Sequence, residues 1–320
     1  MPWDEADGAR IGVPVSLFVV AVSTLLWFWP RPPPTFLTGD RRTAKVVEVR
    51  EVTHDTKRLR LSLGSKEFVL GLPIGKHIIL HAPNPPSCLT SGKWNGEDDP
   101  DGGKVEIERR YTPITGDELK GYVDILVKVY RPGTFVASGG EEKTFTDGGK
   151  MGLHLDAMKP GDYIDISGPL GGMEYLPGGY FKLSNRTIQK PHVAMIAGGS
   201  GLTPMLQILR TALRDKRAPQ IRFTLLFANK TERDILCADV LEELEKESGG
   251  SLRVIHALEV PPPQWKGKVG QISAAMLREC LPPATRGPLL LMCGPDGMVQ
   301  KACKPNLELL GHKRQDMVVF

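Results

Sequence analysis

The spacing of apolar residues changes once along this chain, near Asn185–Pro191, and that change constrains the fold more than any other feature. Before it, short β-branched runs alternate with turn residues. Candidate strands are Ala44–Thr53, Arg58–Leu63, His77–His81, Val105–Tyr111, Tyr122–Val129 and Tyr163–Ser167. Turns separate them at Gly64-Ser65, Leu72-Pro73-Ile74-Gly75, Arg131-Pro132-Gly133 and Lys159-Pro160-Gly161-Asp162. Many short strands with turns between them predict an antiparallel barrel. One helix is expected in this half, near Met151–Met158, and Asn84–Lys104, rich in Pro, Gly, Asp and Ser, reads as a flexible surface loop. After the change, candidate strands Val193–Ala197, Ile221–Phe227, Leu252–Leu258 and Leu289–Cys293 alternate with helical spacing over Thr203–Arg214, Ala238–Glu247 and Ser273–Glu279. Asp296–Leu309 reads as helical up to a break at Pro305. Strand–helix alternation predicts a parallel sheet with helices on both faces.

At 320 residues, two domains are the default. The 41 basic and 37 acidic residues leave a formal charge of +4, too mild and too scattered for a dedicated nucleic-acid binder. A weakly basic surface still suits an acidic protein partner. Cys88, Cys237, Cys280, Cys293 and Cys303 show neither C-x-x-C pairing nor zinc spacing, which fits a reducing compartment and no metal centre.

From Ile11 to Trp29 the chain carries no charge. As a helix this run would be about 28 Å long, close to the hydrocarbon core of a bilayer. Pro14 falls in its first turn, and Trp27 and Trp29 suit a membrane interface. A cleaved signal peptide is the alternative, but the flank is acidic (Asp4, Glu5, Asp7) and the run ends in Trp-Phe-Trp-Pro. A retained single-pass anchor is therefore expected. Arg31, Arg41 and Arg42 place the remainder on the cytosolic side, and Pro30-Arg31-Pro32-Pro33-Pro34 forms an extended spacer.

Four segments could carry chemistry. Ala197-Gly198-Gly199-Ser200-Gly201-Leu202-Thr203-Pro204-Met205 joins a strand to a helix, where glycine backbone and helix N–H groups favour phosphate. It is not the strict G-x-G-x-x-G fingerprint, and tight turns need glycine in any case. Beyond the next strand, Asp234, with Glu232 second, could accept from a ribose 2′-hydroxyl; the alternative is a solvated loop carboxylate. Cys293 ends the last strand, at the edge where such sheets bind ligands; its alternative is core packing. In the first half, Arg109 could hold pyrophosphate and Tyr111 could stack on a flavin, or the segment is a plain edge strand. Gly148-Gly149-Lys150-Met151 opens a helix and offers a second phosphate cradle.

Taken in order, these segments resemble the ferredoxin–NADP reductase-like flavoproteins, and among them the NADH–cytochrome b5 reductase family, over about Thr43 to Phe320. The family's R-x-Y-T-P is matched by Arg109-Arg110-Tyr111-Thr112-Pro113, and its G-G-K-M-S by Gly148-Gly149-Lys150-Met151-Gly152. Its G-G-T-G-I-T-P-M is matched by the turn from Gly198 to Met205, and its C-G-P-P-x-M by Cys293-Gly294-Pro295-Asp296-Gly297-Met298. The Val-Val-Phe end at Phe320 is also similar. Departures are Gly152 for serine, Arg110 and Asp296 for prolines, and Arg131 for an aromatic.

The resemblance implies a Greek-key FAD-binding barrel over 43–185 and a Rossmann-like NADH-binding α/β domain over 186–320, behind an anchor at 1–30 and a linker at 31–42. It implies that Arg109, Arg110, Tyr111, Thr112, Leu126, Lys128, Gly149, Lys150, Met151 and Gly152 serve FAD. Gly198, Gly199, Gly201, Pro204, Asp234, Cys293, Gly294, Pro295, Met298 and Phe320 would frame NADH, with Thr203 against the isoalloxazine. Thr203, Cys293 and Lys128 would stand where hydride passes from NADH to FAD. Single electrons would then reach the haem of cytochrome b5 or a similar acidic haem protein. A monomer at the endoplasmic reticulum or mitochondrial outer membrane is expected. The rivals are a nitrate-reductase-like flavin module and a non-catalytic nucleotide-binding membrane scaffold.

Overall fold

The computed structural model describes residues 32–136 and 142–320. The apolar run 11–29, expected to anchor the chain, lies outside them. Among the described residues no helix is long and apolar enough to cross a membrane.

The first half builds a six-stranded antiparallel sheet. Its order is Glu106–Tyr111, His77–Pro83, Tyr163–Leu170, Arg42–Thr53, Thr56–Ser62 and Tyr122–Lys128. Leu59 and Leu61, Ile78 and Leu80, and Val123, Ile125 and Val127 recur at every second position and are wholly buried in one core. The two end strands are not paired with each other. One backbone hydrogen bond, from Ile114 N–H to the Asp124 carbonyl at 2.9 Å, spans the gap between them. The expected barrel is thus an antiparallel sheet with two edges, and those edges carry Arg109 and Tyr111 on one side and Leu126 and Lys128 on the other. Leu126 belongs to the apolar cluster of the second half while Ile125 and Val127 belong to the first. Burial from both halves explains why Ile125-Leu126-Val127 is continuously apolar.

Asn84–Lys104 is not the flexible loop that its composition predicts. It contains a helix, Pro86–Ser91, and a hairpin of Lys93–Trp94 with Glu97–Asp98. Cys88, on that helix, is fully buried. The Asn84 amide group closes its base by donating to the carbonyls of Asp101 and Lys104 at 3.0 and 2.9 Å. Side-chain hydrogen bonds of this kind order a polar segment without help from apolar periodicity.

Between the two large sheets in sequence lies an antiparallel sheet that the apolar pattern does not reveal, Met173–Leu176, Tyr180–Leu183 and Arg186–Gln189. The parallel sheet follows, in the order Lys268–Val269, Leu252–Leu258, Arg222–Asn229, His192–Gly198, Leu289–Cys293 and Met317–Val319. Val193–Ala197 is buried throughout, as a central strand covered on both faces must be. Helices Leu202–Ala212 and Ala238–Glu247 cover one face; Ala274–Cys280 and Lys304–Leu309 cover the other. The expected break at Pro305 does not occur. A π-helical segment, Gly297–Cys303, runs directly into Lys304–Leu309, and the wider π turn precedes Pro305, which has no N–H to give.

Candidate functional site

From His192–Gly198 the chain moves outward through three strands and then returns to lay Leu289–Cys293 on the opposite flank. The strand order reverses between these two strands, and open α/β sheets bind ligands at the carboxyl ends flanking such a reversal. Those ends are Gly198 and Cys293. A Cβ on Gly201 would lie 2.2 Å from the Cys293 carbonyl oxygen, so only glycine lets the turn close onto the last strand. Gly198 packs equally tightly, its absent Cβ 2.8 Å from Met298 Sδ and 3.0 Å from Pro295 Cδ. Gly199 faces open space, with Lys128 Cδ the nearest atom to its absent Cβ at 4.0 Å. Helix Leu202–Ala212 starts without a side-chain cap and continues a 3-10 turn, Gly199–Gly201, in which Leu202 N–H donates to the Gly199 and Ser200 carbonyls. Pro204 sits in that turn, and the Thr203 hydroxyl donates to the Ser200 carbonyl at 3.2 Å, bracing it. Cys293 is half-buried and its thiol is pushed up to about 11 by burial, so it stays protonated at neutral pH. Gly294 and Pro295 carry the chain away from it. Phe320 donates its N–H to the Met292 carbonyl at 3.1 Å, while its ring packs on the α/β core.

On the other side, Arg109 lies on the edge strand with its side chain 42% exposed. Tyr111 is half-buried, and burial raises the proton affinity of its hydroxyl. Thr112, also half-buried, follows it. Arg110 is exposed and close to His77, where its charge adds to burial in keeping that imidazole neutral. Gly148 takes φ +75°, and a Cβ there would meet the Tyr130 carbonyl oxygen at 2.5 Å. Gly149 donates its N–H to that same oxygen at 2.8 Å. Helix Lys150–Ala157 then begins without a side-chain cap. Met151 points into the sheet core at 3% exposure, so its contribution to a ligand falls to its N–H. Gly152 packs closely on the edge strand: a Cβ would stand 3.1 Å from the Lys128 carbonyl oxygen.

Lys128 joins the two sides. Its ammonium lies 2.6 Å from Asp55, in the hairpin between the first two strands, and 3.3 Å from Asp234 in the α/β half. Burial pushes the Asp55 carboxyl up, but the hydrogen bond and charge of Lys128, with the Thr53 and Thr56 hydroxyls, hold it below the usual range. Asp234 is also raised by burial and lowered further by Thr231 and Lys128. Lys128 loses affinity for its proton by burial and regains more from the two carboxylates. Asp234 caps its own turn as well, accepting from Thr231 N–H at 3.0 Å and the Thr231 hydroxyl at 2.7 Å. Among the described residues, His54, Asp55 and Asp234 form one of two groups with metal-ligand spacing, but the Lys128 ammonium already supplies the cation there. In the other, His81, Glu106 and Glu108, the Glu106 carboxylate is taken by Arg41.

Residue patterns alone do not single out Asp55, one acid in a hairpin turn, nor the residues of 84–104 that engage the second cradle. The run Asp98-Asp99-Pro100-Asp101 reads as solvated, yet the Asp99 side chain is 2% exposed and bound to Lys150.

Helix starts without side-chain caps at Lys150 and Leu202, the part-exposed Arg109 guanidinium, which also pairs with Asp101, and a glycine turn open at Gly199 fit the phosphates of two dinucleotides. The relatives agree. The model of the oxidoreductase FAD-binding domain family matches residues 43–91 and 100–175, and that of the oxidoreductase NAD-binding domain family matches 195–304. NADH-cytochrome b5 reductase 2 of Danio rerio is 41% identical over 281 residues, covering 86% of this chain and 82% of that one. NADH-cytochrome b5 reductase 1 of Homo sapiens is 37% identical over 316 residues, 96% and 95% of the two chains. Among solved structures, the cytochrome b5 reductase domain of Ulva prolifera nitrate reductase superposes with a TM-score of 0.75 at 31% identity, covering 89% of this chain and 99% of that one. This chain belongs to the NADH–cytochrome b5 reductase family, an oxidoreductase built from an FAD-binding and an NAD-binding half.

Proposed function

We propose that this chain takes electrons from NADH through FAD to the haem of a cytochrome b5-type protein, and that residues 11–29 hold it at a membrane with its body toward the cytosol. FAD, when bound, accepts a hydride equivalent from NADH and releases electrons singly, which a nicotinamide alone does not do. The rest is positioning. Arg109 and the N–H groups of Lys150, Met151 and Gly152 hold the flavin's pyrophosphate. Tyr111 and Thr112 line the edge beside the ring, and the braced hydroxyl of Thr203 faces it from the α/β side. Gly199, Gly201 and the first turn of Leu202–Ala212 receive the phosphates of NADH. Asp234 accepts from the adenosine ribose and repels a 2′-phosphate. Cys293, a neutral thiol, lies at the nicotinamide end and adds no charge. Gly294, Pro295 and Met298 close that end.

The observation that carries this reading is Lys128. One ammonium contacts an acid from each half and runs past Gly199, so the two dinucleotide sites share a wall. A mildly basic protein suits an acidic haem partner, and a shared membrane raises their effective concentration.

Purified protein should be yellow, and its flavin absorbance should bleach when NADH is added without air. Reduced haem bands should then appear on adding a soluble cytochrome b5. Colourless protein, or colour that NADH leaves unchanged, would overturn the reading. The anchor is tested separately: the full chain should co-sediment with phospholipid vesicles and a chain starting at residue 32 should not.

A further inference from the structure

The segment 84–104 sits directly on the flavin-side cradle. The Asn95 side-chain carbonyl accepts from the N–H groups of Asp147 and Gly148 at 2.8 and 3.0 Å, and its amide nitrogen donates to the Gly148 carbonyl at 3.1 Å. The Trp94 indole N–H donates to that carbonyl at 2.6 Å. In return the Asp147 carboxylate accepts from the Asn95 backbone N–H at 2.7 Å. Lys150 completes the join. Its ammonium donates to Asp99 and to Asn84, the latter at 3.1 Å, and lies 5.5 Å from the Trp94 ring centre. The Lys150 and Asp99 side chains are 3% and 2% exposed. The FAD-binding family model matches up to residue 91 and resumes at 100, so the stretch that supplies Trp94, Asn95 and Asp99 lies outside the part it matches.

We infer that residues 84–104 are a clasp that holds the Gly148–Lys150 turn in its phosphate-binding shape, and that the Lys150 ammonium is the clasp's buried anchor rather than a phosphate ligand. This rests on the FAD reading above. Two of its three N–H donors are taken by a carboxylate and an amide oxygen, Asp101 stands 3.9 Å away, and the side chain is nearly sealed from solvent, so the ammonium is committed to the clasp. Within the turn the Tyr130 carbonyl accepts from Gly149 N–H, but Gly148 stands at φ +75° and no side chain caps the helix. Asn95 and Trp94 supply what is missing, fixing the turn so that the N–H groups of Lys150–Gly152 are aligned before the flavin arrives. Preorganisation of this kind lowers the ordering cost of binding and slows release.

The test is Asn95→Gly, which keeps the positive φ of +52° at that position and deletes only the side chain. Two quantities are measured: hydrogen exchange at the Asp147 and Gly148 amides, and release of FAD followed by its fluorescence on dilution. Both should accelerate, release by about tenfold, the loss expected for a few neutral hydrogen bonds. Trp94→Phe, which removes one donor and leaves a smaller aromatic ring, should accelerate release by a smaller factor. Release unchanged from a parent protein that does hold FAD would overturn this inference alone. A parent protein that takes up no FAD would overturn the functional reading and the clasp with it.

Discussion

Two glycine-rich turns lead into two uncapped helices, and their surroundings differ. The turn at Gly198–Gly201 is shaped by the sheet itself: Gly201 is pressed on the Cys293 carbonyl and Gly198 on Met298, while Gly199 looks outward. Helix Leu202–Ala212 behind it has Leu206, Ile208 and Leu209 fully buried. The turn at Gly148–Lys150 opens an eight-residue helix and is held from outside by the folded segment 84–104. A site shaped by its own sheet is ready in every state and can load and empty repeatedly. A site held by a polar clasp favours a ligand that stays. The difference matches a substrate that exchanges at each turnover and a cofactor that remains between turnovers.

The contrast can be broken at its strongest point first. Gly201→Ala forces a Cβ against a backbone carbonyl and should destabilise the protein by about 3 kcal/mol, read as a fall in the denaturant midpoint. A loss under about 1 kcal/mol would mean that the turn is not wedged between strand and helix. Asp234→Thr removes the charge that the proposed function sets against the adenosine ribose. The ratio of kcat/KM for NADPH to that for NADH should rise on the order of tenfold, about 1.4 kcal/mol. The same change loses a turn cap and should cost about 1 kcal/mol of stability. Asp55→Asn leaves Lys128 with one carboxylate instead of two. KM for NADH should rise about threefold with kcat nearly kept, as fits a part-buried ion pair. Acid should act the same way. Asp55, Asp99, Asp101 and Asp234 all titrate below their ordinary 3.8 when folded. Their stabilisation is complete above that value and disappears as pH falls through the lower folded values, so melting temperature should drop steeply below pH 4.

The parallel half is the more legible in sequence. Leu252–Leu258, Ala238–Glu247 and Leu289–Cys293 are found where apolar period places them, because buried strands and amphipathic helices write their environment into residue spacing. Met173–Gln189 escapes notice because its three strands have four residues each, too short for a period to register. Residues 84–104 escape for a different reason: their order comes from side-chain hydrogen bonds to backbone, which a polar composition conceals. The sequence motifs locate both turns and Asp234. They do not reveal that the Lys150 side chain faces Asp99, or that Asp55 pairs with Lys128, since each pairing joins residues distant in the chain.

The six-stranded sheet has two unpaired edges, Glu106–Tyr111 and Tyr122–Lys128, and both border the proposed flavin site. An edge covered by a bound cofactor is protected; a bare one is a template for strand addition between molecules. The opening that admits the flavin therefore ties the solubility of the chain to its supply of cofactor.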